Sequence, residues 1–148
     1  MENILKIKKV REGAVIPKRA TPGSAGMDLY AVLDSEKTLE RGEILMVPTG
    51  IAIELPSPDY VAYIFARSGL AIKHGITLAN CVGVVDSDYR GEVCVGLVNV
   101  SNTPYTITPG ERIAQLVISP VSLMPTMEAE SLSDTERGEG GFGSTGKN

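Results

Sequence analysis

The stretch Gly83-Val84-Val85-Asp86-Ser87-Asp88-Tyr89-Arg90-Gly91-Glu92-Val93 sets a carboxylate, an aromatic ring and an arginine between two apolar runs. Val84 and Val85 read as buried strand residues leading straight into Asp86, and Val93 to Val98 reads as an interior strand. Asp86 and Tyr89 are therefore expected where a strand leaves the core, between rigid flanks. That placement suits a general base and a ring in contact with a substrate. The same residues also fit an ordinary hairpin. Asp-Ser-Asp is common turn chemistry, and Asp86, Asp88, Arg90 and Glu92 alternate as one solvated strand face would.

Ala66-Arg67-Ser68-Gly69-Leu70 is a second candidate. Free backbone N–H groups at a helix start, with Arg67 beside them, make an anion site suited to phosphate. The alternative is Ser68 as a plain N-cap next to a surface arginine. A third candidate, Arg137-Gly138-Glu139-Gly140-Gly141-Phe142-Gly143-Ser144-Thr145-Gly146, combines glycine amides that can wrap phosphate oxygens with two hydroxyls and a cation. Phe142 has no core to join there and would suit stacking on a base; the alternative is a disordered terminus. The segment is not a nucleoside-triphosphatase P-loop, because the lysine is missing and no strand precedes it. Asp28 adds a second carboxylate at a strand start, or else an outward polar position. Gln115 sits in an apolar strand, where a buried amide needs either a structural partner or a ligand oxygen. His74 reads as a packing or capping residue. No Ser-His-Asp triad and no zinc-type His/Cys cluster can be assembled.

The elements that must hold these residues are mostly strands. Nine Pro and sixteen Gly punctuate short β-type runs, the pattern of an all-β sandwich or barrel. Strands are expected at Ile4–Val10, Met27–Ala31, Ile44–Val47, Ile51–Leu55, Asp59–Phe65, Ile76–Cys81, Tyr105–Ile107 and Ile113–Ile118, with a weaker one at Val121–Met127. Met27, Leu29 and Ala31 should share the inward face. Pro48-Thr49-Gly50 should separate two of the strands. Ser68 to Gly75 reads as the only helix, closed by a glycine that follows cationic residues. From Ser131 onward the chain is too polar and glycine-rich to stay ordered alone. Residues 1–130 are thus expected to form one β domain and 131–148 a flexible arm.

At 148 residues, with 43% hydrophobic and 22% charged content, the chain has the composition of one ordinary globular domain. A net charge of −4 argues against a phosphate-backbone binder. An aromatic content of 5% without Trp argues against a stacking surface for long single-stranded nucleic acid. No run approaches a membrane span and no leader-type apolar segment opens the chain. Cys81 and Cys94 lie in apolar runs and read as buried, reduced thiols of a cytoplasm-like compartment.

Taken in order, AGMDLYA, ARSGLA, GVVDSDYRGEV, PGERIAQLVI and RGEGGFGSTG resemble the five motifs of the homotrimeric dUTP diphosphatase (dUTPase) family, from about residue 17 to 146. The resemblance implies a jelly-roll-like β fold, a homotrimer with active sites shared between subunits, and Mg²⁺-dependent hydrolysis of dUTP to dUMP and pyrophosphate. It implies that Asp86 activates the water attacking the α-phosphorus, and that Tyr89 packs beneath the deoxyribose and leaves no room for a 2′-hydroxyl. Asn80, with backbone groups running to Val84 and Val85, would read the uracil edge, and Cys94 would neighbour the nucleoside without an assigned role. Arg67, Ser68 and Gly69 would hold phosphates from a neighbouring subunit, with Gln115 as a further donor. Arg137, Phe142, Gly143, Ser144 and Thr145 would close over the γ-phosphate and base, and Asp28 would touch waters on Mg²⁺ rather than the ion. A dCTP deaminase-like enzyme and a non-catalytic nucleotide-binding module of the same fold are the competing expectations; neither needs the Arg137–Gly146 motif. A cytoplasmic location is expected, or the nucleus or an infected cell for a eukaryotic or viral source.

Overall fold

The computed structural model describes residues 3–143. Ten strands and one helix follow one another as β1 (Lys6–Lys9), β2 (Met27–Tyr30), β3 (Lys37–Leu39), β4 (Ile44–Glu54), β5 (Tyr60–Phe65), α1 (Ser68–His74), β6 (Ile76–Leu78), β7 (Gly83–Val85), β8 (Glu92–Asn99), β9 (Tyr105–Ile107) and β10 (Arg112–Pro120). They build two four-stranded sheets, ordered β1-β4-β8-β6 and β2-β10-β5-β7, and a two-stranded ribbon, β3-β9. Every pairing is antiparallel. This is the all-β sandwich expected from the punctuation by Pro and Gly, with one short helix.

Alternation decides which faces meet. Val93, Val95, Leu97 and Asn99 of β8 point inward, while Glu92, Cys94, Gly96 and Val98 point outward. Met27, Leu29 and Ala31 are buried as the period-two pattern requires. Leu29, Val47, Ile51, Leu97, Ile113 and Leu116 are essentially without solvent contact at the centre of the sandwich. Each such side chain contributes about 1.5–3 kcal/mol by leaving water. Asn99 is buried among them, with its amide nitrogen donating to the carbonyls of Leu39 and Thr103 and its oxygen accepting from Ser101. One side chain thereby ties β8 to the ribbon. Among the described residues no helix is long and apolar enough to cross a membrane.

Several local expectations are corrected. Pro48-Thr49-Gly50 does not divide two strands: β4 runs through it, and the pairing with β8 slips between Pro48↔Cys94 and Ala52↔Glu92. Gly50 takes φ 71°, and a Cβ there would press on Ala14, so the chain bulges where it was expected to end. Val84 is 61% exposed although its neighbour Val85 is buried, because β7 is a three-residue edge strand with only one covered face. Cys81 is also exposed; β6 stops at Leu78 and Cys81 adopts φ 63° in the following turn. Val121–Met127 forms no strand: beyond the Val121 N–H on the Asp59 carbonyl it makes no ladder, and Leu123, Met124 and Met127 stand in solvent. At α1 the N-cap is Arg67 rather than Ser68, with no side-chain cap bond, and Gly75 closes the helix in the left-handed conformation.

Candidate active site

β7 ends at buried Val85, and the next residue, Asp86, is exposed. The turn closes with the Tyr89 N–H on the Asp86 carbonyl (3.2 Å). The Tyr89 ring then folds back over Gly91: a Cβ at residue 91 would overlap the ring, with Cζ at 2.5 Å. The Tyr89 hydroxyl donates to the Glu92 carbonyl at 3.0 Å. A cleft of about 450 Å³ opens here, lined by Asn80, Val84, Val85, Asp86, Tyr89 and Cys94 together with Met46, Ile64, Gly83, Glu92 and Val93. Six of the sequence-derived candidates therefore share one wall. Ile64, Val85 and Val93 in its lining are buried, Asp86 and Asn80 are exposed, and among the described residues β7 has no strand partner on its outer edge. A cleft of this size with apolar lining and a few polar groups is the kind of place where a small ligand binds. A larger cavity, about 650 Å³, lies elsewhere, between β1, Ile16, Arg19 and Tyr60. It contains none of the candidate residues.

A second group forms where β5 runs into α1. The Asp28 carboxylate takes Arg67 Nε on one oxygen (3.1 Å) and Arg112 Nη1 on the other (3.2 Å). Arg67 also donates through Nη1 to the Arg112 carbonyl at 3.0 Å. Gln115 lies opposite both Asp28 and Phe65 in register, and its amide nitrogen donates to the Ala66 carbonyl at 3.0 Å. Gln115 thus has a structural partner, and its second amide hydrogen remains available. Gly26 leaves the space: a Cβ there would overlap Gln115 Oε1. His74, at the far end of α1, packs against Tyr105 in a tilted arrangement at 4.9 Å between centroids, as a packing residue would. Burial, with the Glu111 carboxylate accepting its hydroxyl, pushes the Tyr105 phenol up to about 12. Ser68 and Gly69 lie exposed at the helix start.

The sequence-derived residues thus fall into two groups rather than one. Arg67, Ser68, Gly69, Gln115 and Asp28 do not line the cleft that holds Asp86 and Tyr89. Nor does the described part of the C-terminal segment: Arg137 donates to the Gly140 carbonyl of its own turn, and Phe142 is fully exposed. Ser144 and Thr145 lie outside the described residues. Sequence reading gave no role to Arg112, the second guanidinium on Asp28, or to the ion pair between Arg11 and Glu92 beside the cleft (2.6 Å). That pair holds the Glu92 carboxyl below its usual range, chiefly through the Arg11 hydrogen bond, while burial first and the Glu92 charge next push the Cys94 thiol up. A thiol so placed is a wall, not a nucleophile. No cluster of three His, Cys, Asp or Glu side chains that could cage a metal exists among the described residues.

Comparison with known proteins points the same way. A family model described as dUTPase matches residues 12–146. The chain is 52% identical over 144 residues to the deoxyuridine 5′-triphosphate nucleotidohydrolase of Desulfitobacterium hafniense (strain DSM 10664 / DCB-2), covering 96% of this chain and 95% of that protein. It is 51% identical over 142 residues to the protein of the same name from Neisseria meningitidis serogroup A, with 96% and 95% covered. A glycine-to-serine mutant of the Staphylococcus bacteriophage 80alpha dUTPase, solved with dUpNHpp, superposes with a TM-score of 0.87 at 28% identity, over 98% of this chain and 99% of that one. On the match of the family model to nearly the whole chain and of relatives at half identity, this chain belongs to the dUTPase family of nucleotide hydrolases.

Proposed function

We propose that the chain hydrolyses dUTP to dUMP and pyrophosphate, with the deoxyuridine in the Asp86–Tyr89 cleft and the triphosphate shared between copies of the chain. The single observation that carries this reading is the division of the candidate residues. Val85 pairs with Ala62, so Asp86 lies past one end of the β5–β7 ladder while Arg67 lies past the other. At 3.3 Å per residue the two are roughly 20 Å apart along the strands. One α-phosphorus cannot reach both within one chain, whereas a closed ring of copies can bring one cleft to another copy's arginine. Exposed Ile44, Met46 and Val84, with Leu123, Met124 and Met127 beyond the last strand, supply apolar surface for such a contact. A homotrimer is the arrangement we propose.

In this reading Asn80 and the free edge of β7 pair with the uracil edge, Tyr89 packs under the sugar, and Cys94 closes the pocket wall. Asp86, fixed by the buried residue before it, holds a water in line with the α-phosphorus and takes its proton as the bond to the bridging oxygen breaks. Pyrophosphate leaves on that oxygen. Arg67, with Ser68 and Gly69, neutralises the spreading charge, and the free amide hydrogen of Gln115 adds a donor. Asp28 orients Arg67 and still has acceptor sites for the waters of a phosphate-bound Mg²⁺, which fits an ion that keeps waters and needs no protein cage. When bound, Mg²⁺ would supply further neutralisation of the phosphate charge. Residues 131–148 act as an arm apart from the β domain: Arg137, Gly143, Ser144 and Thr145 cover the γ-phosphate, and Phe142, whose ring is fully exposed among the described residues, stacks on the base.

The test is turnover of dUTP beside UTP, dCTP and dTTP, with Mg²⁺ and with a chelator, followed by pyrophosphate and ammonia release. Pyrophosphate from dUTP alone, lost on chelation, is expected. Ammonia from dCTP would instead establish a deaminase, and binding without turnover a silent nucleotide-binding module.

A further inference from the structure

Glu92 is built into the cleft from both of its ends. Its carbonyl receives the Tyr89 hydroxyl (3.0 Å), and its carboxylate oxygen Oε1 receives both Arg11 Nε (2.6 Å) and the Gly50 N–H (3.0 Å). The regular ladder does not fix this point, because β4 bulges between Pro48 and Ala52 directly opposite Cys94 and Glu92. What holds the bulge in place is the Glu92 side chain on Gly50, the Thr49 hydroxyl on the Val93 carbonyl, and the Val10 N–H on the Gly50 carbonyl (2.7 Å). Gly91 lets the Tyr89 ring approach the backbone closely, so the ring's height over the cleft follows the backbone at residues 91 and 92. Arg11 does not line the cleft; it lies in the turn after β1, 53% exposed, while the Glu92 side chain is only 18% exposed. A solvent-facing pair would contribute little. Here one partner is mostly enclosed and its carboxylate bears two donors, so losing Arg11 leaves a poorly compensated charge beside the ring.

We propose that Arg11 and Glu92 form a brace that sets the height of the Tyr89 ring over the sugar, so that the turn after β1 governs discrimination between deoxyribo- and ribonucleotides. This rests on the reading that Tyr89 packs beneath the deoxyribose. Arg11 and Glu92 are positioning residues: they act through the ring, and a ring that settles lower makes room for a 2′-hydroxyl. The signature is a change in the ratio of kcat/KM for dUTP over UTP, which a general loss of stability does not produce.

The experiment measures that ratio, with Tm alongside, in the full-length Arg11→Ala, Glu92→Leu and Glu92→Gln variants. Arg11→Ala and Glu92→Leu are expected to lower it by about tenfold, the scale of one hydrogen bond to a charged group. Glu92→Gln keeps an oxygen for both Arg11 and Gly50 and is expected to hold the ratio within about twofold. Tyr89→Phe, which removes the hydroxyl that reaches Glu92, should reproduce the Arg11→Ala loss, and the double variant should add nothing further. If Glu92→Leu does not fold, Arg11→Ala on its exposed turn carries the test. Equal losses on both nucleotides in Arg11→Ala would make the pair merely structural and overturn the brace. Tyr89→Ala separates the two levels. A ratio that survives it overturns the sugar reading and the brace together, and a ratio that collapses there but persists in Arg11→Ala overturns the brace alone.

Discussion

Asp86 and Arg67 stand beyond opposite ends of the β5–β7 ladder, whose register pairs Ala62 with Val85 and Ile64 with Gly83. Antiparallel pairing makes the separation unavoidable, since continuing one strand moves away from the end of its neighbour. An active site that uses both residues on one phosphate must therefore draw them from different copies of the chain.

That geometry gives a complementation result. Asp86→Asn and Arg67→Ala proteins, each inactive alone, should recover activity when unfolded together and refolded. With random assembly, about a quarter of the sites would combine an intact Asp86 with an intact Arg67 from another copy. A mixture no more active than its components would mean that both residues serve a site within one chain.

The contact between Gly26 and Gln115 predicts a separable defect. In Gly26→Ala the new Cβ displaces the Gln115 amide, which must turn and give up its bond to the Ala66 carbonyl. The displaced group is the end of a flexible side chain, so the fold should survive with a loss of about 1 kcal/mol in urea unfolding. Turnover of dUTP should fall about tenfold or more, because Ala66 carries the chain into Arg67 and Ser68. Unchanged kcat/KM in the folded variant would remove Gln115 from the phosphate site.

Gly75 closes α1 at φ 67°, and a Cβ there would meet Ser101 Cβ at 2.7 Å and Ser101 N at 2.8 Å. Backbone cannot yield as a side chain does. Gly75→Ala is therefore expected to cost on the order of 2–3 kcal/mol in equilibrium unfolding, combining a left-handed residue with a steric overlap. A change below about 0.5 kcal/mol would show that the α1–β8 junction can relax.

Tyr105 fixes an alkaline limit. Its phenol is pushed up to about 12, first by burial and then by the Glu111 carboxylate. Because the folded value lies above the unfolded one, near 10, the contribution is complete below about pH 10 and is lost as pH rises through about 12. Stability should decline over that window, and the phenolate absorbance gained near pH 12 should be missing in Tyr105→Phe. Glu111→Gln should bring the phenol only part of the way back, since burial remains. A full return would make the carboxylate, not burial, the dominant cause.

Local pattern by itself determined much of the molecule. The alternation in Met27–Ala31 fixed which of its side chains enter the core, the apolar run Val93–Val98 marked an interior strand, and Gly75 after Lys73 and His74 marked the end of the helix. Asp86 was legible as a carboxylate at a strand end because Val85 and the turn residues after it are neighbours in sequence. The tertiary structure decided whatever depends on register or on which face is covered. Val84 faces out because β7 is an edge strand, and β4 passes through Pro48–Gly50 because Glu92, Val10 and Val93 anchor the bulge. Arg112 reaches Asp28 across 84 residues of sequence and Arg11 reaches Glu92 across 81. Such partners leave no periodicity in the chain. They exist only once the strands have paired, because a shift of one residue in register would turn Asp28, Arg112 and Glu92 to the opposite face.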